Sequence, residues 1–397
     1  MTSRIQLGSL VAFLVVAIAT GCLVPSPATN ANEEPRESAP STEAGRTIPS
    51  FGLRIDGRWI LDADGEAVEP DDFRRGLQTS ALTFHRRSLW SVGDQRSEYP
   101  GSLLEIDPES ARLRGSPLRI EVADDVEADE DQLRRFREIP NIDLEGLAPA
   151  NATKTDALDG EIGFVAVTED KEPWLLFLTT QSSAPGAERA PLKLIRLSRL
   201  DVPLDLRPWR DDTNFRVEGI TVLDGDLFVI AFERAHDNLP RLLTLGKELN
   251  PAPLPIDFSS LPPRVDKPRA LLNVNGLESV RWRDRSLLLA LARDQERIVV
   301  IDAETSRILH FVDLDLRDPD GHSIEWASPE GIAADVATDR LWLVSDPDSV
   351  RGNYRRRDSE KADGPYASYV PLLFTTKLSA VIDGAAAPDD SQPAKSE

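Results

Sequence analysis

One short pattern recurs along this chain and constrains its fold more than any other feature. Three copies place a glutamate directly before a glycine, the remaining copy places it two residues after one, and in each an apolar run follows after a turn. A motif that returns after several tens of residues is typical of repeated supersecondary units. The copies are Leu144-Glu145-Gly146-Leu147, Val217-Glu218-Gly219-Ile220, Gly276-Leu277-Glu278-Ser279-Val280 and Pro329-Glu330-Gly331-Ile332.

The apolar runs that follow these motifs have the length and composition of β-strands. They are rich in Val, Leu, Ile, Phe and Trp and are bounded by Asp, Gly and Arg turns. The four runs are GFVAVTED from Gly163, DLFVIAFER from Asp226, SLLLALARD from Ser286 and RLWLVSDPD from Arg340. Most are followed by another strand candidate. A degenerate earlier copy begins at Thr79-Ser80-Ala81-Leu82, where Ser80 stands in place of the glutamate.

Repeated units of three or four short strands predict an all-β fold, with at most one short helix between Asp129 and Glu138. Their spacing suits the four-stranded blades of a β-propeller and is too long for leucine-rich repeats. Five units are visible, and a sixth could be split between the termini, so we predict a propeller of five or six four-stranded blades. A pair of β-sandwiches is the alternative, but it would not explain why each unit begins with the same motif.

The N-terminus has the pattern of an export signal. Arg4 precedes an apolar stretch, Leu10 to Ala19, that is short for a membrane span. Small residues then lead to Cys22, the only cysteine of the chain, as in a bacterial lipoprotein cleavage box. We therefore expect lipidation at Cys22 and a lipid-anchored location in the bacterial cell envelope, periplasmic or on the outer surface. Ordinary secretion and a retained membrane anchor are the alternatives.

Two low-complexity segments flank the region that predicts a folded domain. Pro25 to Pro49 is rich in Pro, Ser, Ala, Thr and Glu without apolar periodicity, so it cannot bury enough surface to become ordered. The tail from Ala385 has the same character. The predicted division is a lipoprotein-type signal peptide (1–22), a disordered linker (23–50), a propeller domain (51–383) and a disordered tail (384–397).

The chain is strongly acidic, with a formal net charge of −22. Such a chain is a poor candidate for electrostatic binding to nucleic acid or to an anionic lipid surface. We therefore expect no nucleic-acid partner, membrane contact only through the N-terminal lipid, and a monomer.

The repeated glutamates are the candidate functional residues. The first strand of each propeller blade lines the central channel, so a glutamate at its start points toward the common axis. Glu145, Glu218, Glu278 and Glu330 are thus predicted to form an acidic ring at one mouth of the channel. A second, less regular set of acids follows the second strand of each unit: Asp94, Glu169, Glu233, Asp294 and Asp346.

Carboxylates that face one cavity repel one another unless a hard cation, a basic side chain or a proton lies between them. Because Ca²⁺ takes several oxygen ligands, the four ring glutamates are candidate Ca²⁺ ligands. Arg234 and Arg293 lie close in sequence to the acids and are candidate contacts for an anionic substrate group. A purely architectural role for the Glu-Gly pairs is the alternative. No catalytic residue can be assigned from the sequence.

The repeats resemble the phytase-like, or "esterase-like activity of phytase", family of bacterial β-propellers. The matching residues are Leu144 to Leu147, Val217 to Ile220 with Asp226 to Val229, and Pro329 to Ile332 with Arg340 to Val344. They are also similar to calcium-dependent gluconolactonase-type propellers. The resemblance implies a phosphoric or carboxylic ester substrate and Ca²⁺. The chain departs from the pattern at Ser80, and at Glu278, which follows its glycine.

Two functions are consistent with these features. The first is a lipid-anchored hydrolase in which Ca²⁺ held by the channel glutamates polarises a small-molecule ester and activates water. The second is a non-catalytic scaffold at the cell surface that binds a protein or a glycan through loops on one face. Calcium dependence of stability and turnover of simple esters would separate them.

Overall fold

The fold is known from a computed structural model. It describes residues 48–68, 76–95, 97–139, 142–150, 161–169, 172–181, 191–203, 216–224, 227–235, 237–324, 326–346 and 370–384. The predicted signal peptide with Cys22, most of the predicted linker and nearly all of the predicted tail lie outside these residues. Across the described ranges, no helix is both long enough and apolar enough to cross a membrane.

The described chain is built almost entirely from strands, which confirms the all-β prediction. The strands are β1 (Ser50–Trp59), β2 (Thr79–His85), β3 (Ser88–Gly93), β4 (Ser102–Ile106), β5 (Leu118–Glu127), β6 (Leu144–Ala150), β7 (Glu161–Thr168), β8 (Trp174–Gln181), β9 (Leu192–Arg199), β10 (Val217–Asp224), β11 (Leu227–Phe232), β12 (Arg241–Leu245), β13 (Pro251–Leu254), β14 (Gly276–Trp282), β15 (Arg285–Ala292), β16 (Arg297–Asp302), β17 (Arg307–Arg317), β18 (Pro329–Asp335), β19 (Arg340–Ser345) and β20 (Leu372–Lys377).

Two short α-helices accompany the strands within the described residues. Helix α1 (Glu130–Arg137) begins at Asp129, whose side chain caps the helix by accepting from the backbone N–H groups of Asp131 and Gln132. It lies where the sequence predicted a short helix. Helix α2 (Leu378–Ile382) follows β20, and a single 3₁₀ turn covers Phe258–Ser260.

The strands pair in antiparallel runs of four. The first four groups are β2–β5, β6–β9, β10–β13 and β14–β17, in chain order. The fifth group is β18–β19–β20 completed by the N-terminal strand β1, which pairs with β20 through Arg58 and Leu373. Parallel pairing of β5 with β9 and of β17 with β1 joins neighbouring groups into larger sheets. The unit divided between the two ends of the described chain is therefore the fifth.

The first strands of the five groups form a closed ring. Strands β2, β6, β10, β14 and β18 contact one another in that order, and β18 contacts β2. The motif glycines permit this close approach: a Cβ atom on Gly331 would lie 2.6 Å from the backbone nitrogen of Leu82, and one on Gly146 would lie 2.9 Å from that of Ile220. The strands themselves therefore close the centre of the ring.

Apolar packing follows the same circular order. Five buried clusters lie between successive strand groups, and the last cluster joins the fifth group to the first. Residues that share a cluster across two groups include Trp90 with Phe164, Val165 with Ile230, Val229 with Leu288, Leu289 with Leu343, and Trp342 with Leu89. The arrangement of ring and clusters is propeller-like.

The packing explains why the second strands read as continuous apolar runs. In β11, Phe228 and Ile230 pack against the second group, whereas Val229 and Ala231 pack against the fourth. Successive side chains of a strand point to opposite faces, so a strand covered on both faces needs apolar residues at every position. The four predicted runs form β7, β11, β15 and β19.

Candidate functional site

An acidic cavity opens at the end of the ring where the first strands begin and the second strands end. Its volume is about 210 Å³, and we call it the acidic cup. Among the described residues, eight carboxylates line it, together with two glutamines and one arginine. The lining residues are Gln78, Asp94, Gln95, Asp143, Glu145, Glu169, Glu218, Glu233, Arg293, Glu330 and Asp346.

The strand pairing defines one equivalent position in each group, immediately before the motif glycine. Glu145, Glu218 and Glu330 occupy it in the second, third and fifth groups, each at a register shift of its strand. Such a β-bulge re-aims the side chain relative to a regular strand. In the fourth group the pairing of Gly276 with Leu291 places Asn275 there, and in the first group Ser80 precedes Ala81.

A second equivalent position immediately follows the second strand of each group. It holds Asp94, Glu169, Glu233, Arg293 and Asp346. In four groups the backbone N–H at this position donates to a carbonyl two residues before the ring position. These bonds are Asp94 to Gln78 (3.1 Å), Glu169 to Asp143 (2.9 Å), Glu233 to Arg216 (3.0 Å) and Asp346 to Ser328 (2.9 Å).

The fourth group replaces the acids with amides and an arginine. Asn275 Nδ2 donates to Glu218 Oε2 at 3.0 Å, and Asn273 Nδ2 donates to Glu233 Oε1 at 3.0 Å. Arg293 bridges the acids of the two neighbouring groups, with 3.1 Å to Glu330 Oε1 and 3.1 Å to Glu233 Oε1. Positive charge is thus concentrated on the fourth-group side of the cup.

Three of the four glutamates predicted as ligands come together in the cup, and the fourth does not. Glu278 lies within β14, three residues beyond the ring position occupied by Asn275, and it is absent from the residues described as lining the cup. Burial raises the pKa of Glu278 well above its usual value. The sequence alignment of Glu278 with the other three glutamates is therefore wrong.

The carboxyls of the cup are strongly perturbed. Burial is the largest cause in each case, and repulsion from neighbouring carboxylates adds to it. Together they raise the pKa of Glu218 to about 7 and that of Glu169 to about 9. They raise the pKa values of Glu145 and Glu330 well above the usual range. In a cation-free cup, several of these groups therefore carry protons near neutral pH.

The arginines near the cup are engaged with acids. Arg293 lines the cup but forms the two bridges described above, and Arg216 pairs with Glu169 at 3.2 Å. Arg234, predicted with Arg293 as a substrate contact, does not line the cup among the described residues. Its Nη2 lies 3.7 Å from Glu233 Oε2. Of the two predicted contacts, only Arg293 faces the cavity.

The best cation ligands lie on the side of the cup away from Arg293. Carboxylate oxygens of Asp94, Asp143 and Glu145 all lie within 4.8 Å of one another. Asp143 is oriented by Gln95, whose backbone N–H and side-chain Nε2 donate to it at 3.1 and 2.7 Å. These residues belong to the first and second groups, which lie across the ring from the fourth.

A second group of metal-type side chains, Asp318, Asp320 and His322, lies in the turn after β17. Asp318 accepts from the backbone N–H of His322 at 2.8 Å, a pattern that closes the turn. His322 is exposed. The acidic cup, with more carboxylates and deeper burial, is the stronger candidate.

Sequence reasoning missed Asp143, although a signal was present. Residues two apart in a strand point to the same side. The position two before the ring residue is polar in all five groups, which hold Gln78, Asp143, Arg216, Asn273 and Ser328. Asp94, Glu169, Glu233 and Asp346 of the predicted second set do line the cup. The fifth member of that set is Arg293 and not Asp294.

Comparison with known proteins does not assign a family. No family model matches the chain, and no curated protein matches it significantly. Membership of the phytase-like family therefore stays a prediction.

Several solved structures are weakly similar to this chain. The glutaminyl cyclase of Myxococcus xanthus has a TM-score of 0.40 at 14% identity and covers 82% of this chain and 97% of its own. The allergen Mala s 1 of Malassezia sympodialis has a TM-score of 0.42 at 10% identity, covering 79% and 97%. A putative glycoside hydrolase from Parabacteroides distasonis has a TM-score of 0.39 at 10% identity, covering 85% and 95%. With TM-scores this low, no assignment of function or site is drawn from them.

Proposed function

We propose that this chain is a metal-assisted hydrolase of small phosphate or carboxylic esters, built on a five-bladed β-propeller. Each strand group is one blade in this proposal, and β1 completes the fifth. The closed ring of first strands and the five inter-group clusters support that blade number. The observation that carries the function is the cluster of Asp94, Asp143 and Glu145 in a cup rich in carboxylates.

The donor chemistry of the cup fits a hard divalent cation such as Ca²⁺. Ca²⁺ takes oxygen ligands, mainly carboxylates and carbonyls, in flexible geometry. Among the described residues, eight carboxylates line the cup against one lining arginine, so acids outnumber bases in that lining. Asp94, Asp143 and Glu145 would hold the ion. When bound, the ion would polarise the ester and lower the pKa of a bound water.

The remaining side chains supply proton transfer and orientation. Burial and neighbouring carboxylates raise the pKa of Glu218 to about 7 in the ion-free cup, and this carboxyl is the candidate for acid–base catalysis. Asn275 holds Glu218 in place through its 3.0 Å hydrogen bond. Arg293, on the opposite side of the cup from the proposed ion, presents a guanidinium to an anionic group of the substrate.

The closed floor makes the cup a blind pocket. The first strands approach so closely at Gly146 and Gly331 that a Cβ atom would collide with the neighbouring strand. Substrate and product must therefore pass through the same mouth. A cavity of about 210 Å³ accommodates a small ester group and not a large polymer segment.

The test combines metal binding with turnover. We expect Ca²⁺ to raise the melting temperature relative to chelator, because a ligand that binds only the folded state stabilises it. We expect p-nitrophenyl phosphate or p-nitrophenyl acetate to be hydrolysed in the presence of Ca²⁺. Asp143→Asn should weaken the thermal shift and abolish turnover, and Glu218→Gln should abolish turnover while the thermal shift remains.

An exposed acid serves as the control. Glu172→Gln changes a half-exposed carboxylate on the outside of the second group and should leave the thermal shift and turnover unchanged. A calcium-dependent shift without turnover of either ester would favour the non-catalytic scaffold. If wild type shows neither shift nor turnover, the proposed metal-assisted function is wrong.

Export and lipidation complete the proposal. A lipid at Cys22 would tether the domain to the cell envelope as a monomer, through the proline-rich segment before Pro49. Metabolic labelling with a palmitate analogue should mark wild type, and Cys22→Ala should remove the label. An unlabelled wild-type protein in the soluble periplasmic fraction would contradict the tether.

A further inference from the structure

A small second cavity lies where the first strands meet, beside the acidic cup. Its volume is about 10 Å³, close to the space of one water molecule or one dehydrated ion. Among its lining residues, those with polar side chains are Glu145, Asn275 and Glu330, and the motif glycines form much of the remaining wall. Glu145 and Glu330 line both this cavity and the cup.

Asn275 brings an unused acceptor to this cavity. Its side chain is 2% exposed, and its Oδ1 has no hydrogen-bond partner among the described residues. Asn275 Nδ2 donates to Glu218 Oε2 at 3.0 Å, so Oδ1, on the other side of the amide, points away from Glu218. A buried acceptor without a partner is costly, so a ligand that binds to it is favoured.

The neighbouring amide shows that this feature is particular to Asn275. Asn273 is fully buried in the same group and also donates its Nδ2 to a glutamate at 3.0 Å. Its Oδ1, however, accepts from the backbone N–H of Asp294 at 3.0 Å. Both amides therefore support a carboxylate, but only Asn275 leaves an oxygen for something else.

We propose that Glu145, Asn275 Oδ1 and Glu330 bind a second Ca²⁺ at the floor of the acidic cup, separate from the ion proposed at Asp94, Asp143 and Glu145. Two carboxylates and one neutral oxygen are ligands that Ca²⁺ accepts, and water from the cup completes its coordination. Glu145 joins the two positions because each of its oxygens can serve one ion. This inference goes beyond the proposed hydrolysis, which requires only the outer ion.

The inner ion has a structural role. Its ligands come from the second, fourth and fifth groups. The fourth and fifth groups are neighbours, joined by the β17–β1 pairing and a shared apolar cluster, whereas the second group is adjacent to neither of them in the ring. Binding there draws three blades together and offsets the repulsion between Glu145 and Glu330. The small cavity also favours Ca²⁺ over Mg²⁺, because Mg²⁺ gives up its water shell reluctantly.

The test counts calcium ions bound by the full chain. Isothermal titration calorimetry, with elemental analysis after desalting, should find two Ca²⁺ ions in wild type and one in Asn275→Ala. The loss of a direct ligand should weaken the inner ion at least as much as the roughly 10- to 100-fold effect of losing an outer-shell partner. Mg²⁺ should not displace the inner Ca²⁺.

Asn273→Ala is the matched control, and it should retain both ions. Asn275→Asp provides a second variant in case the alanine variant does not fold. It adds a charged oxygen at the same place and should bind the inner Ca²⁺ more tightly than wild type. A wild-type stoichiometry of one, an unchanged ion count in Asn275→Ala, or weaker binding in Asn275→Asp would overturn the inner site.

Different experimental results would refute the inner site and the proposed hydrolysis. Asp143→Asn removes a ligand of the outer ion and should lower the ion count to one while the inner ion stays bound. If Asp143→Asn abolishes turnover but Asn275→Ala keeps both ions, the inner site is wrong and hydrolysis stands. If Asn275→Ala loses one ion and no ester is hydrolysed, the inner site stands and the hydrolytic function is wrong.

Discussion

Arg293 Nη2 lies 3.1 Å from Glu233 Oε1, although the two residues occupy the same position in neighbouring strand groups. The other four groups hold an acid at this position. Because the fourth group holds Arg293 there, its positive charge can neutralise an acid of the neighbouring group. Arg293 also reaches Glu330 in the group on its other side, at 3.1 Å. Arg293, the one basic residue at this position, therefore forms ion pairs with two acids, one in each neighbouring group.

Removing this arginine should destabilise the domain. Arg293→Ala leaves Glu233, whose side chain is 4% exposed, with only the longer 3.7 Å contact to Arg234 as an ion pair. Loss of one partner of a buried ion pair costs about 3–5 kcal/mol, and the partial exposure of Arg293 places our expectation near the lower value. Denaturant unfolding in chelator measures the change. Arg283→Ala removes a 72% exposed arginine paired with Asp383 and should change the unfolding free energy by less than about 1 kcal/mol.

The ion-free protein should lose stability as the pH rises. The pKa values of Glu218 and Glu169 are raised in the folded state to about 7 and about 9. Between the ordinary glutamate value and these values the folded state binds more protons than the unfolded state, so the unfolding free energy falls with increasing pH. Melting temperatures in chelator should therefore decline from about pH 5 to about pH 9.

Ca²⁺ should reverse that trend. Protons and Ca²⁺ compete for the same carboxylates, so Ca²⁺ affinity should increase with pH. The thermal shift produced by Ca²⁺ should be larger at pH 8 than at pH 5.5. A flat pH profile in chelator together with a pH-independent calcium shift would show that the acids of the cup are ionised without a cation.

The motif glycines should resist substitution. In Gly331→Ala the new methyl group would lie 2.6 Å from Leu82 N and 2.7 Å from Ala81 C, both backbone atoms. Overpacking of this kind costs about 1–3 kcal/mol, which urea unfolding can measure. Gly52→Ala is the control, because its new methyl group would meet no atom within 4 Å beyond its own chain neighbours. Equal stability of the two variants would contradict the tight ring.

Strand β1 should be essential to the fold despite its distance in sequence from the rest of the fifth group. Ile55 is 2% exposed and packs in the cluster between the fourth and fifth groups. Ile55→Ala should cost about 2–5 kcal/mol by denaturant unfolding. Arg54→Ala, at an exposed position of the same strand, should have little effect. If Ile55→Ala is as stable as Arg54→Ala, β1 does not close the structure.

The sequence predicted the individual strands better than it predicted which positions in different strand groups are equivalent. Apolar runs bounded by turns identified the second strands, because those strands are covered on both faces. Strand β1 was not foreseen, since its partners β17 and β20 are distant in sequence and no turn signal links them. Local pattern carries no information about such long-range pairing.

The site was predicted in part for a similar reason. Glu145, Glu218 and Glu330 share a local motif, so their meeting at one mouth followed from the repeat. Glu278 was aligned by its chemistry, whereas strand pairing assigns its place to Asn275. Asp143 was overlooked because its contribution depends on which side of the strand it faces.

The fourth group differs from the others in carrying amides and an arginine in place of acids, and this difference makes the cup asymmetric. A ring of five identical acidic repeats would offer a ligand five equivalent rotational orientations. With Asn273, Asn275 and Arg293 on one side and Asp94 and Asp143 on the other, that degeneracy is removed. If the proposed hydrolysis is right, a substrate with one anionic end would be oriented in a single sense by this asymmetry. The irregular repeat thus supplies the asymmetry from which stereoselectivity would arise.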